Sequence, residues 1–376
     1  LAGGGAARRL RWIAAVAVVA PALAVGPAML GAAPPAPVRV ETSAPHMGTL
    51  VRIVLYAPSP QAGEAAAQKA FGRIAGIEAR LSDYRDDSEV AALSRASAGV
   101  AVPVSEDLFT VLAASEALAR RTGGAFDITA GRLTHLWRRA RRLNAWPEAG
   151  AVAAARAAGG FAKVRLDHRR RTVTLAETGI EIDAGGIAKG YAAEEAVRVL
   201  RAAGAGAALV AIGGDIAAGD PPPGQPAWTV AIPALAASAG PPASSAGDPF
   251  RIALVRAAVS TSGDAEQWMT VDGVRRSHVI DLRTGWPVTG RGATSVVAAH
   301  GIDADAISTA LGVLDPDAGA RLLRSVRGPS RPGPRGIGAQ ALWQRVDDAG
   351  AAMSHHSLHW PVLTAPISAI TLRGTP

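Results

Sequence analysis

The stretch Gly179-Ile-Glu-Ile-Asp-Ala-Gly-Gly-Ile-Ala-Lys-Gly-Tyr191 most constrains what this chain can fold into. An apolar alternation through Ile180 and Ile182 ends at Asp183, glycines follow at 185 and 186, and helical spacing runs from Ile187 through Ala196, Val197 and Leu200. A strand that breaks at glycines and re-enters as a helix presents backbone N–H groups at the positive end of a helix dipole, an arrangement that takes anions. Lys189, one turn into that helix, adds a point charge suited to phosphate. It is one of three lysines among 39 basic residues. The plainer reading is a tight strand-to-helix turn with a solvated lysine. The segment is neither a Walker loop, lacking Gly-Lys-Ser/Thr, nor a dinucleotide fingerprint, its third glycine being out of place.

At 376 residues the chain has room for two domains or for one large one. Apolar residues make up 49%, much of it alanine, which is ample for a core. The net charge of +8 comes with only 4% aromatic residues and no basic stripe interleaved with stacking rings, which argues against nucleic-acid binding. The absence of cysteine excludes disulfides, thiolate metal sites, a cysteine nucleophile and a lipoprotein anchor. Arg8, Arg9 and Arg11 followed by the apolar run Trp12 to Val25 read as the basic and apolar regions of an export signal within 1–33. Pro21 and Pro27 interrupt the run, which is short for a spanning helix; both a cleaved signal and a retained membrane anchor fit it. Residues 34–45 read as a linker, 46–360 as the folded domain and 361–376 as a tail.

Within the domain, Val51, Ile53 and Leu55 alternate as a strand after Met47-Gly48-Thr49. Phe71, Ile74, Ile77 and Leu81 mark one helix face. Leu108, Val111, Leu112 and Leu118 mark another, with Ser105 as N-cap and Glu106 and Asp107 suiting its first turn. Gly123-Gly124 breaks that helix. Residues 164–167 and 172–175 form a hairpin pattern, and strands are expected at 208–212, 228–232, 251–259, 278–282 and 294–298. Helices are expected at 303–314 and 316–326, and loops at 236–249 and 328–336. No repeat is present. The mixture predicts an α+β fold.

Three further constellations carry chemistry. Ser260-Thr261-Ser262-Gly263-Asp264 precedes Ser277-His278-Val279-Ile280-Asp281, where His278 suits either a general base or a hydrogen-bonded structural histidine. Asp305 and Thr309 stand i, i+4 on one helical face and offer hard oxygens of the kind Mg²⁺ accepts, or else serve as a helix-terminus aspartate and a buried threonine. His355-His356-x-x-His359, with no carboxylate nearby, reads as structural.

In order along the chain stand Met47-Gly48-Thr49, Ser82-x-Tyr84 with Ser88-Glu89, Gly124-x-Phe126-Asp127-x-Thr129, and Asp183-x-Gly185-Gly186-Ile187-Ala188-Lys189-Gly190-Tyr191. After them come Gly213-Gly214, Ser260 to Asp264, His278-x-Ile280-Asp281-x-x-Thr284-Gly285-x-Pro287 and Ala304-Asp305-x-x-x-Thr309-Ala310. Together, over residues 46 to 326, these resemble the ApbE family, the FAD:protein FMN transferases. The resemblance implies a periplasmic or otherwise extracytoplasmic enzyme with a single T-fold-like domain of largely antiparallel sheet and packed helices. It implies Mg²⁺-dependent cleavage of FAD and transfer of FMN, through a phosphoester, to a threonine of a target flavoprotein, with release of AMP. By position, Met47, Tyr84, Ala125, Phe126, Asp127, Asp183, Lys189 and Ile280 would contact FAD. The Gly186 carbonyl, Asp305 and Thr309 would hold Mg²⁺, with His278 as base and Lys189 assisting. Some members carry an aspartate where this chain has Ser308, and Leu282 replaces a usual proline. Hydrolysis of FAD to FMN and AMP is the sibling activity, and a secreted flavin-binding protein without turnover is the reading from another class.

Overall fold

The structure, a computed structural model, describes residues 36–232, 250–263, 268–271, 274–289, 291–326, 340–346 and 352–354. Strands β1 (Val38–His46) and β2 (Thr49–Ala57) come first, then helices α1 (Pro60–Leu81) and α2 (Glu89–Ser94). Strand β3 (Ala101–Pro103) leads to α3 (Glu106–Thr122), α4 (Gly131–Leu143) and α5 (Ala149–Ala158). The hairpin of β4 (Val164–Asp167) and β5 (Thr172–Leu175) precedes α6 (Ala188–Ala202). Nine strands follow: β6 (Ala208–Ile212), β7 (Asp215–Ala218), β8 (Trp228–Ile232), β9 (Phe250–Leu254), β10 (Ala257–Gly263), β11 (Trp268–Val271), β12 (Val274–Asp281), β13 (Trp286–Thr289) and β14 (Arg291–Ala298). Helices α7 (Gly301–Val313) and α8 (Pro316–Ser325) and strands β15 (Gln340–Val346) and β16 (Ala352–Ser354) come last.

The main sheet has the order β1-β2-β6-β7-β10-β14-β15-β16, and every pairing in it is antiparallel. Because strand side chains alternate between faces, β2 sends Val51, Ile53 and Leu55 to one side and Val54 to the other. The first set joins the large core under α1, α6 and α7. Val54 joins a second core, with Trp228 and Val230 of β8 and Ile252 and Leu254 of β9, so the β8–β9 hairpin covers the opposite face. Strand β14 divides in the same way, Val296 and Ala298 to the first core and Val297 to the second. A third cluster ties α4 and α5 to the sheet β11-β12-β13 through Leu133, Trp137, Val152, Met269 and Ile280. The expected α+β class with a largely antiparallel sheet is what the chain forms. Among the described residues no helix is long and apolar enough to cross a membrane.

Several expectations are corrected. The linker expected over 34–45 is from Val38 onward the strand β1, paired along its whole length with β2. Proline at 45 suggested a linker, but β1 is an edge strand, where proline is tolerated. The strand expected over 251–259 is two strands. Arg256, at φ 47°, turns the chain so that β9 pairs with β8 and β10 enters the main sheet. The alternation ending at Asp183 is not a ladder strand: Glu181 makes one isolated parallel bridge to Ala130. Three helices went unread. In α4 five arginines mask the apolar face, and α5 is mostly alanine, which carries little periodicity. The third, α2, spans six residues, too few for a period to show. The export signal, the loops 236–249 and 328–336, His355, His356, His359 and the tail 361–376 lie outside the described residues.

Candidate active site

Two hairpin turns meet at one end of the main sheet. Met47 and Gly48, at φ 52° and 71°, join the paired residues His46 and Thr49 as a two-residue turn whose centre needs positive φ at both positions. Gly213-Gly214 joins Ile212 to Asp215 with positive φ at Gly213 alone, the pattern that places glycine first. A Cβ on Gly214 would lie 2.9 Å from the Thr261 carbonyl oxygen, so this glycine lets β10 pass close by. Asp215 is thereby set opposite Ser260.

At this end Lys189 of α6 donates through Nζ to Asp215 Oδ2, and Ser260 Oγ donates to Asp215 Oδ1 at 2.5 Å. Asp305 of α7 reaches the same place because α6 and α7 cross almost in contact: a Cβ on Gly190 would sit 2.1 Å from the Gly301 oxygen. Its Oδ2 accepts the Gly190 N–H at 3.0 Å. Asp215 and Asp305 are each 2% exposed. Burial works against the Lys189 ammonium, yet the carboxylates of Asp305 and Asp215 outweigh it and hold the lysine above its usual range. Burial and then the Asp215 charge push Asp305 well above the ordinary carboxylate range, with Lys189 offsetting only part.

One turn along α7, Thr309 Oγ1 donates to the Gly186 carbonyl at 3.4 Å. A Cβ on Gly186 would meet the Thr309 side chain at 3.1 Å and the Phe126 ring at 3.4 Å, so glycine here admits both. Asp305, Thr309 and the Gly186 carbonyl are hard oxygen donors, a set whose chemistry suits Mg²⁺. Ser308, fully buried, donates to the Asp305 carbonyl at 2.9 Å and contacts Ser262 Oγ at 2.7 Å and Ser260 Oγ at 3.0 Å. It contributes to a hydroxyl network but supplies no carboxylate. Among the described residues no group of three or more His, Asp or Glu is arranged around one metal position.

The other expected flavin contacts surround this centre in part. Ala125 and Phe126 are buried on the loop after α3, where Gly123 and Gly124 take positive φ. Asp127 spends both oxygens on its own loop. Thr129 N and Oγ1 donate to Oδ1 at 2.9 and 2.7 Å, and Phe161 N donates to Oδ2 at 2.7 Å. Asp183 accepts from Gly185 N at 2.7 Å and from Arg138 at 2.9 Å, and the Arg138 guanidinium lies 4.4 Å from the centre of the Tyr84 ring. Met47 packs partly buried against the main core. Ile280 is buried in the third cluster, with Trp137 and Met269, rather than in the Lys189–Asp305 centre. His278 is exposed on β12, between the buried Ser277 and Val279.

Sequence reasoning brought together Gly186, Lys189, Asp305 and Thr309, and missed Asp215, Arg138 and Asp83. An aspartate directly after Gly213-Gly214, opening an apolar strand, was a signal for Asp215. Arg138 lies within Arg138-Arg-Ala-Arg-Arg142, and nothing in that run sets it apart.

The model of the ApbE family matches residues 47–329, well over half of the chain. The chain belongs to the ApbE family. Its relatives include a FAD:protein FMN transferase of Treponema pallidum, 34% identical over 298 residues that span 75% of this chain and 80% of that protein. A FAD:protein FMN transferase of Klebsiella pneumoniae is 29% identical over 285 residues, 74% of this chain and 79% of that one. Among solved structures, the apo flavinyl transferase ApbE of Pseudomonas stutzeri superposes with a TM-score of 0.69 at 28% identity, covering 83% of this chain and 92% of that one. The ApbE protein of Thermotoga maritima gives 0.68 at 29% identity, over 84% and 96%.

Proposed function

We propose that this ApbE-family chain is a Mg²⁺-dependent FAD:protein FMN transferase that attaches FMN to a threonine hydroxyl of a target flavoprotein and releases AMP. The observation that carries the reading is the convergence, at one glycine turn, of Lys189, two buried carboxylates, Thr309 and the Gly186 carbonyl. Mg²⁺ held by Asp305, Thr309 and Gly186 would supply charge neutralisation on the pyrophosphate. Transfer at phosphorus asks the protein for positioning and electrostatics more than for covalent chemistry. Lys189, kept charged by its carboxylate neighbours, offsets charge on the phosphate oxygens. The acceptor threonine Oγ attacks the FMN-side phosphorus, the bond from that phosphorus to the bridging oxygen breaks, and AMP leaves with that oxygen. The threonine proton passes to His278, whose exposure on β12 suits a hydroxyl delivered by another protein.

The basic and apolar segment Arg8 to Val25 supports placing the reaction outside the cytoplasm, in the periplasm or on the outer face of the membrane. Fractionation of the native host checks this, and full-length protein confined to the cytosol would overturn it. The activity is tested by mixing the protein with FAD, Mg²⁺ and a target domain that carries an acceptor threonine. A gain of one FMN in the intact mass of the target is expected. Release of FMN and AMP without that gain would show a hydrolase, and unchanged FAD a binder.

A further inference from the structure

Helix α4 brings Arg138 to three groups at once. Its guanidinium stacks on Tyr84 with 4.4 Å to the ring centre, Nη2 donates to Asp183 Oδ2 at 2.9 Å, and Nη1 donates to Asp83 Oδ2. Asp83 and Tyr84 follow α1, whereas Asp183 belongs to the loop before α6, so one side chain ties together three separate parts of the chain. The Arg138 side chain is 19% exposed and that of Asp83 7%, but Tyr84 is 75% exposed. The tyrosine therefore has a cation against its ring and most of its surface open to solvent.

The supports on either side of Arg138 are themselves fixed. Asp183 Oδ1 accepts the Gly185 N–H, which sets the turn that carries the Gly186 carbonyl. Asp83 Oδ2 also meets His135 Nε2 at 3.2 Å, and His135 Nδ1 meets Glu181 Oε2 at 2.9 Å, so Asp83 is held from behind by a second residue of α4. A guanidinium alone among side chains can stack on a ring and fork onto carboxylates in the same pose. Lysine matches the charge but not the plane.

We infer that Arg138 is a positioning residue of the flavin site, which holds Tyr84 as a platform for a planar ring system at a fixed distance from the Asp183–Gly186 turn that faces the pyrophosphate. This rests on the proposed function, since it takes Tyr84 and Asp183 to border the FAD site. If Arg138 only fastened α4 to its neighbours, replacing it would lower the melting temperature and leave flavin affinity unchanged. As a positioning residue it acts on affinity through Tyr84, so the two substitutions must not add.

The test is FAD titration by flavin fluorescence, with thermal melts on the same preparations, for wild type, Arg138→Gln, Arg138→Lys, Tyr84→Ala and the Tyr84→Ala/Arg138→Gln double variant. Each Arg138 variant is expected to weaken FAD binding about tenfold, the scale of one lost stacking and charge contact. The double variant is expected to bind no more weakly than the worse single one, the signature of coupled residues. Should Arg138→Gln fail to fold, Arg138→Lys carries the comparison, because it keeps the charge between Asp83 and Asp183. Wild-type affinity in the Arg138 variants, or losses that add in the double variant, would overturn the inference while leaving the flavin reading intact. Wild type that does not bind FAD would overturn the functional reading itself, and this inference with it.

Discussion

Two buried carboxylates, Asp215 and Asp305, share one ammonium, Lys189, and that surplus of negative charge separates structure from function at this point in the chain. Asp305→Asn keeps the volume and leaves a carbonyl oxygen to accept the Gly190 N–H, while removing the like charge beside Asp215. Its melting temperature is therefore expected to stay level or rise. Its turnover should vanish at every Mg²⁺ concentration, because a hard, tightly hydrated cation needs the carboxylate charge. Melts run beside a Mg²⁺ titration of transfer check both halves; an unchanged rate with unchanged Mg²⁺ dependence would remove Asp305 from the metal set. His278 lies on the other side of the division of labour. His278→Ala should keep FAD affinity and slow transfer by about 10²–10⁴-fold, the usual range of general-base help. Single-turnover rates at saturating FAD decide it, and a wild-type rate would mean that another group takes the proton.

Helices α6 and α7 bring these residues together only because glycines stand at their crossing. A methyl group on Gly190 would lie 2.1 Å from the Gly301 oxygen and 2.7 Å from Asp305 Cβ, against backbone that cannot rotate away. Gly190→Ala is expected to destabilise the fold by roughly 3 kcal/mol, the upper range for overpacking. Gly72→Ala, on the exposed side of α1 with open space around it, is expected to stabilise by about 0.5–1 kcal/mol through helix propensity. Urea unfolding of the two variants gives the contrast, and equal effects would deny the close crossing. Elements of this kind were legible where one period dominates: β2 from Val51, Ile53 and Leu55, α3 from its leucines and the Ser105 cap, which accepts the Leu108 N–H. They were not legible where side-chain pattern says little. Nothing local shows that β1 will find β2, that Arg256 will turn the chain, or that the arginines of α4 leave Leu133 and Trp137 facing inward.

At the scale of the molecule the least legible feature is Asp107, which reads as a first-turn residue of α3 suited to the helix dipole and is instead the junction of three helices. Arg73 of α1 forks onto it at 2.7 and 2.5 Å, Arg80 adds a contact at 2.9 Å, and Tyr191 of α6 donates its hydroxyl at 2.7 Å. These partners lie 27 to 84 residues away in sequence, beyond the reach of any local pattern. The Arg73 hydrogen bonds, helped by Tyr191 and outweighing burial, hold the Asp107 carboxyl down at about 2, below the ordinary value of 3.8. A carboxyl lowered in the folded state stabilises fully above its unfolded pKa and loses that contribution as pH falls through its folded one. The window is thus from about pH 4 down to about pH 2, and the shift corresponds to about 2 kcal/mol. Asp107→Asn cannot titrate there. The stability gap between wild type and Asp107→Asn should stay constant from pH 7 to pH 5 and then narrow by about 2 kcal/mol toward pH 2. Urea unfolding at stepped pH measures that gap directly. A gap that holds the same value down to pH 2 would show that Asp107 is not ionised against Arg73 in the folded protein, and that the three helices are joined by packing alone.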